Sequence, residues 1–445
     1  MRLLQTSLAL TFLLVGLAPA SASDWLRYRG PNGFGINADG MVPPTEWDAS
    51  KNMKWKIALP GPGHSCPIIV GDHVYLTCWT GYGVGDDLGD QKDLRLHLLC
   101  IDRKDGKTVW SEAIEPSLPE ERYGGMFAEH GYATHTPTSD GEKIYAFFGK
   151  SGVVAFDLKG KKLWSTKVGD GLDPRGWGSA SSPILYKNLV IVTASVEDQA
   201  VVALDKNTGK EVWKQQAEGF GGTWGTPAIV KVGERTDLVL SVPYEIWGMN
   251  PDTGKLRWHS EASNDRTACS SVVVKDDIVY AIGGRQGGTV GVRAGGKGDV
   301  TESHRLWESS RAGRTAAPIY YEGKLYWTNS GIAYCVDAKT GDEVYRARLT
   351  KTAGNDEPEN ERPQRGRRGP GGASDYASPV AAGDKLYQLK RNGEMLVMHL
   401  GTEFKEVAKN KFDGGGDFSA TPAISKGEMF VRSTKHLYCV GKVAE

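Results

Sequence analysis

The 445-residue chain lacks an excess of either charge: Lys plus Arg and Asp plus Glu both number 54. Nothing in bulk steers it to nucleic acid or to an anionic lipid surface. Past its first two dozen residues it has no apolar run long enough to cross a bilayer as a helix. Cysteine is scarce, six residues in all, with no Cys-x-x-Cys pair and no His-rich cluster. Covalent haem attachment and a zinc site are therefore not indicated. No cysteine precedes Cys66, so the start of the chain offers no thiol for acylation.

The start has another character. Met1-Arg2 is basic, Leu8 to Leu17 is apolar but too short for a span, and Ala18-Pro-Ala20 and Ala20-Ser-Ala22 are small-residue cleavage sites. This pattern predicts a secretory signal peptide over 1–23 and a periplasmic or secreted mature protein beginning near Asp24. Residues 24–52 read as an N-terminal extension.

Glycine is abundant, 57 residues, and it sits in a repeated phrase rather than in low-complexity sequence. Cys100-Ile-Asp-Arg-Lys-Asp-Gly-Lys-Thr-Val-Trp110 returns as Ala203-Leu-Asp-Lys-Asn-Thr-Gly-Lys-Glu-Val-Trp213, and more loosely at Gly248–Trp258 and Cys335–Tyr345. Ala155–Trp164 is the phrase shortened by one residue, and Arg305-Leu-Trp307 keeps its end. An apolar strand meets Asp, whose side chain bonds backbone N–H groups ahead of it. Gly supplies the positive φ that closes the hairpin. The return strand ends on an aromatic ring placed to pack between sheets.

A second element precedes each hairpin: a small residue, usually Pro, then a strand, a tight turn and another strand. Its openings fall at Pro67, Pro137, Pro183, Pro227, Val272, Pro318, Pro379 and Pro422. The residue before Pro is held extended, and Pro is tolerated where a strand begins. Two strands here and two in the hairpin make a four-stranded antiparallel unit, repeated eight times. The last unit stops before its Trp strand, and Met53-Lys-Trp55-Lys-Ile57 supplies the missing one. The expectation is an all-β, eight-bladed β-propeller over 53–445, with the N-terminal strand closing the last blade.

The repeated phrase resembles that of quinoprotein-like (pyrroloquinoline quinone, PQQ) β-propellers, a family that includes quinoprotein alcohol dehydrogenases and the propeller lipoprotein of the outer-membrane barrel-assembly machinery. Trp25–Gly35, Glu129–Ala133 and Gly176–Ala180 look like signatures of secreted PQQ-like propellers of Planctomycetes type. The resemblance implies the fold. For the dehydrogenases it also implies PQQ, a Ca²⁺ held on oxygen ligands, an Asp base and often a disulfide between adjacent cysteines. This chain has no adjacent cysteines.

The turns leading into the first strands should line the central funnel. They place His64, His135, Trp177, Trp224, Arg266, Arg314, Asp375, Tyr376 and Phe418 there as candidates for a ligand site. Tryptophan faces and guanidinium forks would suit a flat anionic ligand such as PQQ. Asp86, Asp87 and Asp90, with Asp93, are candidate Ca²⁺ ligands in an acidic loop. Residues 115–132 are long enough to lie over the funnel mouth as a lid. Residues 351–374, with Arg362-Pro-Gln-Arg-Gly-Arg-Arg-Gly, read as a flexible insertion. Cys100, Cys335 and Cys439 occupy an alanine slot and read as buried hydrophobes. Cys66 with Cys78 is the one disulfide suggested by strand adjacency.

Two functions follow. The first is an exported binding or scaffolding propeller, a monomer presenting its funnel or one face to a protein or small molecule. The alternative is a PQQ- and Ca²⁺-dependent dehydrogenase acting on an alcohol or sugar. A role on polysaccharides requires paired carboxylates facing one cleft, and the candidates above do not supply them.

Overall fold

The computed structural model describes residues 24–84, 88–123, 131–262, 265–283, 288–311, 313–349 and 376–443. The expected signal peptide, Asp86, Asp87, Asp375, part of the proposed lid and the Arg362 segment lie outside them.

Eight antiparallel sheets of four strands form one ring. Each first strand starts at the residue after a predicted opening: Ile68, Thr138, Ile184, Ala228, Val273, Ile319, Val380 and Ala423 for blades 1 to 8. The first strands of neighbouring blades touch one another round the axis. The strand Met53–Ala58 pairs antiparallel with His436–Val440 and completes blade 8. Blade 4 gains a fifth strand, Gly298–Asp299, which runs parallel to Trp258–His259. It comes from the long connection that replaces the usual hairpin in blade 5.

The hydrophobic cores are layers between blades. One holds Ile68 and Tyr75 of blade 1 with Ile144 and Phe156 of blade 2, and the next holds Tyr145 and Val153 with Val190 and Val202 of blade 3. Strand alternation gives each sheet two apolar faces, so burial requires neighbours on both sides.

The repeated phrase does what its chemistry predicts. Asp102, Asp157, Asp205 and Asp337 each accept backbone N–H groups of the turn that follows. Trp110, Trp164, Trp213, Trp258 and Trp307 occupy equivalent registers. Each ring except that of Trp258 donates its indole N–H to a turn carbonyl of the next blade: Trp55 to Arg103, Trp110 to Leu158, Trp164 to Lys206, Trp213 to Pro251 and Trp307 to Ala338. The closing glycine of that turn makes room: a Cβ on Gly209 would lie 2.6 Å from the Trp164 ring. Trp258 bonds Asp237 of its own blade because blade 5 has no such turn.

A second ring runs near the axis. The residue before each opening donates its N–H to the side chain of its counterpart in the next blade. Cys66 gives to Thr136 (2.9 Å), Thr136 to Ser182 (3.0 Å), Ser182 to Thr226 (3.1 Å) and Thr226 to Ser271 (2.9 Å). Ala317 gives to Ser378 (2.9 Å), Ser378 to Thr421 (3.0 Å), and Thr421 to the Cys66 sulfur (3.1 Å). The one gap, from Ser271, falls where Ala317 has no hydroxyl. This corrects the disulfide suggested for Cys66: all six cysteines are free thiols, and Cys66 serves as the sulfur analogue of Ser and Thr in this ring. Cys78 is buried in the core shared by blades 7, 8 and 1.

The seam between blades 8 and 1 is fastened by two buried arginines. Arg432 donates to Ser65 and Thr77, and Arg103 binds Glu428 and Ser425.

The segment before Met53 fills the axis. Trp25 pairs with Ile69 of blade 1, Ser139 of blade 2 donates to Leu26, and Arg27 reaches Pro227 of blade 4. Arg29 donates to Pro318 of blade 6, Tyr28 bonds Ser378 of blade 7, and Ile36 bridges Ala381. Asp24 and Asp39 accept from Gly71 and Lys426, in turns that follow first strands. The segment therefore enters from the face where first strands end, the back face. The chain then passes over blades 7 and 8, where Trp47 packs on Phe412, and reaches the rim at Met53.

Candidate functional site

With the back of the axis filled, the front face, where first strands begin, carries the accessible surface of the funnel. The candidates named from sequence fall into separate groups on it. Trp177 and Trp224 pack tilted with ring centroids 5.4 Å apart, and the Arg175 guanidinium lies over both rings at 5.3 and 5.0 Å. Trp224 also donates to Gly178 at 2.7 Å. His135 is buried, with Nε2 3.0 Å from the Ser179 hydroxyl. His64 is half-buried beside Trp79. Arg266 and Arg314 are exposed, and Tyr376 lies under Arg391. Phe418 is in the core against Phe412 and Tyr438, where Gly393 leaves space for its ring. Asp90 caps the short turn Gln91–Asp93, accepting from the Lys92 N–H and pairing with its ammonium.

The structure adds a site that sequence reasoning missed. The connection leaving blade 1 turns back over blades 2 and 3. Gln91 exchanges hydrogen bonds with the Glu120 backbone, Lys150 donates to Pro119, and Ser151 donates to the Glu120 carboxyl at 2.9 Å. Glu121 accepts the Asp173 N–H. From below, the turn between the second and third strands of blade 3 contributes Glu197. Together with Tyr123, His135 and Ser179 these residues line a partly open pocket of about 30 Å³, room for one or two water molecules.

Three glutamates round one small pocket cannot all ionise cheaply. Burial pushes Glu120 and Glu197 each up to about 7, and raises Glu121 as well. The other two glutamates push Glu197 in the same direction. Burial drives His135 down to about 3, so its ring is neutral. The Ser179 hydroxyl donates to Glu197, which leaves its lone pairs to accept from His135 Nε2. In a nucleophilic serine the proton passes toward the imidazole. Here Ser179 sits between the Glu197 carboxyl and the His135 ring, so the three groups form one buried hydrogen-bond chain. Glu197 is 5 % exposed and its Oε2 has no hydrogen-bond partner in the protein.

Glu197 also borders a larger groove of about 880 Å³, which shares Gly171, Leu172 and Val196 with the cavity. It runs across Asp173 to Arg175, Asp198 and Gln199, then Gln216 to Gly222, and ends at Arg266. Its walls are pre-set. Gln216 donates to Asp198 at 2.9 Å, Lys214 pairs with Asp198 at 2.7 Å, and Arg175 holds Asp173 at 3.0 Å and donates to Gly221.

The tryptophans named as candidates do not offer PQQ an open face. The Trp177 and Trp224 faces are taken up by each other and by Arg175 rather than held apart for a flat ring. Among the described residues no three His, Cys, Asp or Glu side chains converge to hold a metal ion. None of the described helices is long and apolar enough to cross a membrane.

Similar proteins bear on the fold and the family. Quinoprotein ethanol dehydrogenase of Pseudomonas aeruginosa is 30% identical over 174 residues, 34% of this chain and 26% of that protein. The chain thus matches about a quarter of that relative's length. Among solved structures, BamB of Moraxella catarrhalis superposes with a TM-score of 0.59 at 13% identity, covering 89% of this chain and 99% of that one. A europium-containing methanol dehydrogenase gives 0.64 at 12% identity, covering 94% and 98%. At such identities these two show the propeller alone. The family model described as outer membrane protein assembly factor BamB matches residues 45–175 and 97–347, more than half of the chain. With eight blades, the repeated Asp–Gly–Trp turns and this match, the chain belongs to the PQQ-like propeller family that the model describes.

Proposed function

We propose that the protein is an exported binding propeller that takes a small polar ligand at its front face, in the groove over blades 3 and 4 beside the carboxyl cavity. The observation that carries this reading is the groove itself. Its volume of about 880 Å³ falls in the range of ligand sites, and the polar side chains on its largely apolar walls are held by hydrogen bonds. The filled axis supports a ligand that enters from the front only. The basic and apolar pattern of residues 1–23 supports export to the periplasm or beyond, and the paired seam of blade 8 supports a monomer.

The competing reading is a PQQ- and Ca²⁺-dependent dehydrogenase, which the similarity to a quinoprotein ethanol dehydrogenase supports over part of the chain. One experiment separates them. The purified protein is mixed with PQQ and Ca²⁺ and followed by quinone absorbance and dye-linked oxidation of ethanol and glucose. The binding reading expects no stoichiometric quinone uptake and no turnover. Tight uptake with turnover would overturn it.

A further inference from the structure

We infer that the groove over blades 3 and 4 is a saccharide site; the inference rests on the small-ligand function proposed above and names its ligand class. Four observations narrow the chemistry. The charges lining the groove are mixed, Asp173, Glu197, Asp198 and Glu218 against Arg175 and Arg266, so no surplus of cations awaits a phosphate chain. The side chains at its edge are chiefly amides, carboxylates and guanidiniums, but most of the surface that they and Leu172, Pro174, Val196 and Ala217 expose is apolar, a mixture that suits a sugar's hydroxyl rim and its CH faces. The neighbouring tryptophans are covered by Arg175, so a flat aromatic ring finds no open face.

The fourth observation is positive. Asp198, Gln199, Gln216 and Arg175 each carry a planar two-pronged polar group, the shape that grips two adjacent hydroxyls at once. They are also pre-organised: Gln216 is tied to Asp198, Gln199 accepts the Gly219 N–H at 3.2 Å, and Arg175 is fixed by Asp173 and Gly221. A side chain at Gly219 would meet nothing within 4 Å, so the floor beside these groups is bare backbone open to a sugar ring. A neutral polyhydroxylated ligand uses every one of these groups, and its own hydroxyls serve as donor or acceptor as each requires.

The test is calorimetry of the full protein with maltotriose, cellotriose, xylotriose, mannotriose and chitotriose. Binding of at least one is expected, in the micromolar to millimolar range. The double variant Gln199→Ala/Gln216→Ala changes two exposed side chains and should weaken that binding at least tenfold with an unchanged melting temperature. Absence of binding by all five sugars, or equal binding by the double variant, overturns the saccharide inference. The two levels fail separately. If free amino acids and dicarboxylic acids, screened in parallel by thermal shift, bind in a way the double variant abolishes, the groove is a ligand site for another class. If the double variant alters no binding of any kind, the groove function falls as well.

Discussion

At the scale of single residues, two positions make the physics measurable. Gly209 sits at a φ of +72° with the Trp164 ring against it. Gly209→Ala meets both backbone strain and a clash, and should cost about 2–4 kcal/mol, read as a lower midpoint in urea unfolding. Glu197 makes stability depend on pH. Its folded carboxyl is held at about 7 against an ordinary glutamate value of 4.5, so the folded state binds the extra proton between those values. Stability is then full below about pH 4.5, falls as pH rises toward 7, and is level above. The slope is worth up to about 3 kcal/mol for this group at about 1.4 kcal/mol per unit. Glu197→Gln should remove this share while keeping the Ser179 bond, so the gap between melting temperatures at pH 5 and pH 8 should narrow in the variant, the rest being due to Glu120 and Glu121. An unchanged difference would show that Glu197 ionises freely. This residue was not legible in the sequence. Ser195–Gln199 reads as an ordinary turn, and Glu197 is buried only because a connection from blade 1, far away in the chain, folds over it.

At the scale of elements, the hydrogen-bond ring explains a preference the sequence displays without its reason. The small residue before each opening reads locally as extended backbone, which is correct. That it is Ser, Thr or Cys at seven of the eight openings and Ala at the eighth follows from a partner one blade away. Thr136→Ala leaves the buried Cys66 N–H without an acceptor and should cost about 1–3 kcal/mol. Ala317→Ser offers an acceptor to Ser271 at the one gap and should add up to about 1 kcal/mol. Both are read by chemical denaturation, and a neutral Thr136→Ala would show that the ring is geometry without energy. The hairpin phrase, by contrast, was fully legible, because Asp, Gly and Trp act within a dozen residues and on the adjacent blade.

At the scale of the molecule, closure was legible from Trp55 alone, since a lone copy of a repeat's last strand needs a place. The filling of the axis was not. Arg27 and Arg29 are charged residues in a polar stretch, and nothing near them in sequence announces that burial lowers both guanidiniums to about 10. Deleting 53–58 should leave His436–Val440 as an open edge, giving a species that aggregates or pairs through that edge in size-exclusion chromatography. A monomer of native stability would show the seam to be dispensable.

The path of the first described residues, from hub to rim, also sets an order in time. Trp55 pairs with Cys439, and Tyr28 bonds Ser378 across 350 residues. The start of the chain finds some partners at once, Trp25 with Ile69 and Leu26 with Ser139, but its partners on blades 6 to 8 exist only once those blades have followed. Blades 1 to 7 can form from local contacts as they appear, but hub and seam are contacts of the longest sequence separation and come last. A chain cut short before blade 8 therefore leaves Met53–Ala58 without its pairing strand, and the ring closes only when both have been made.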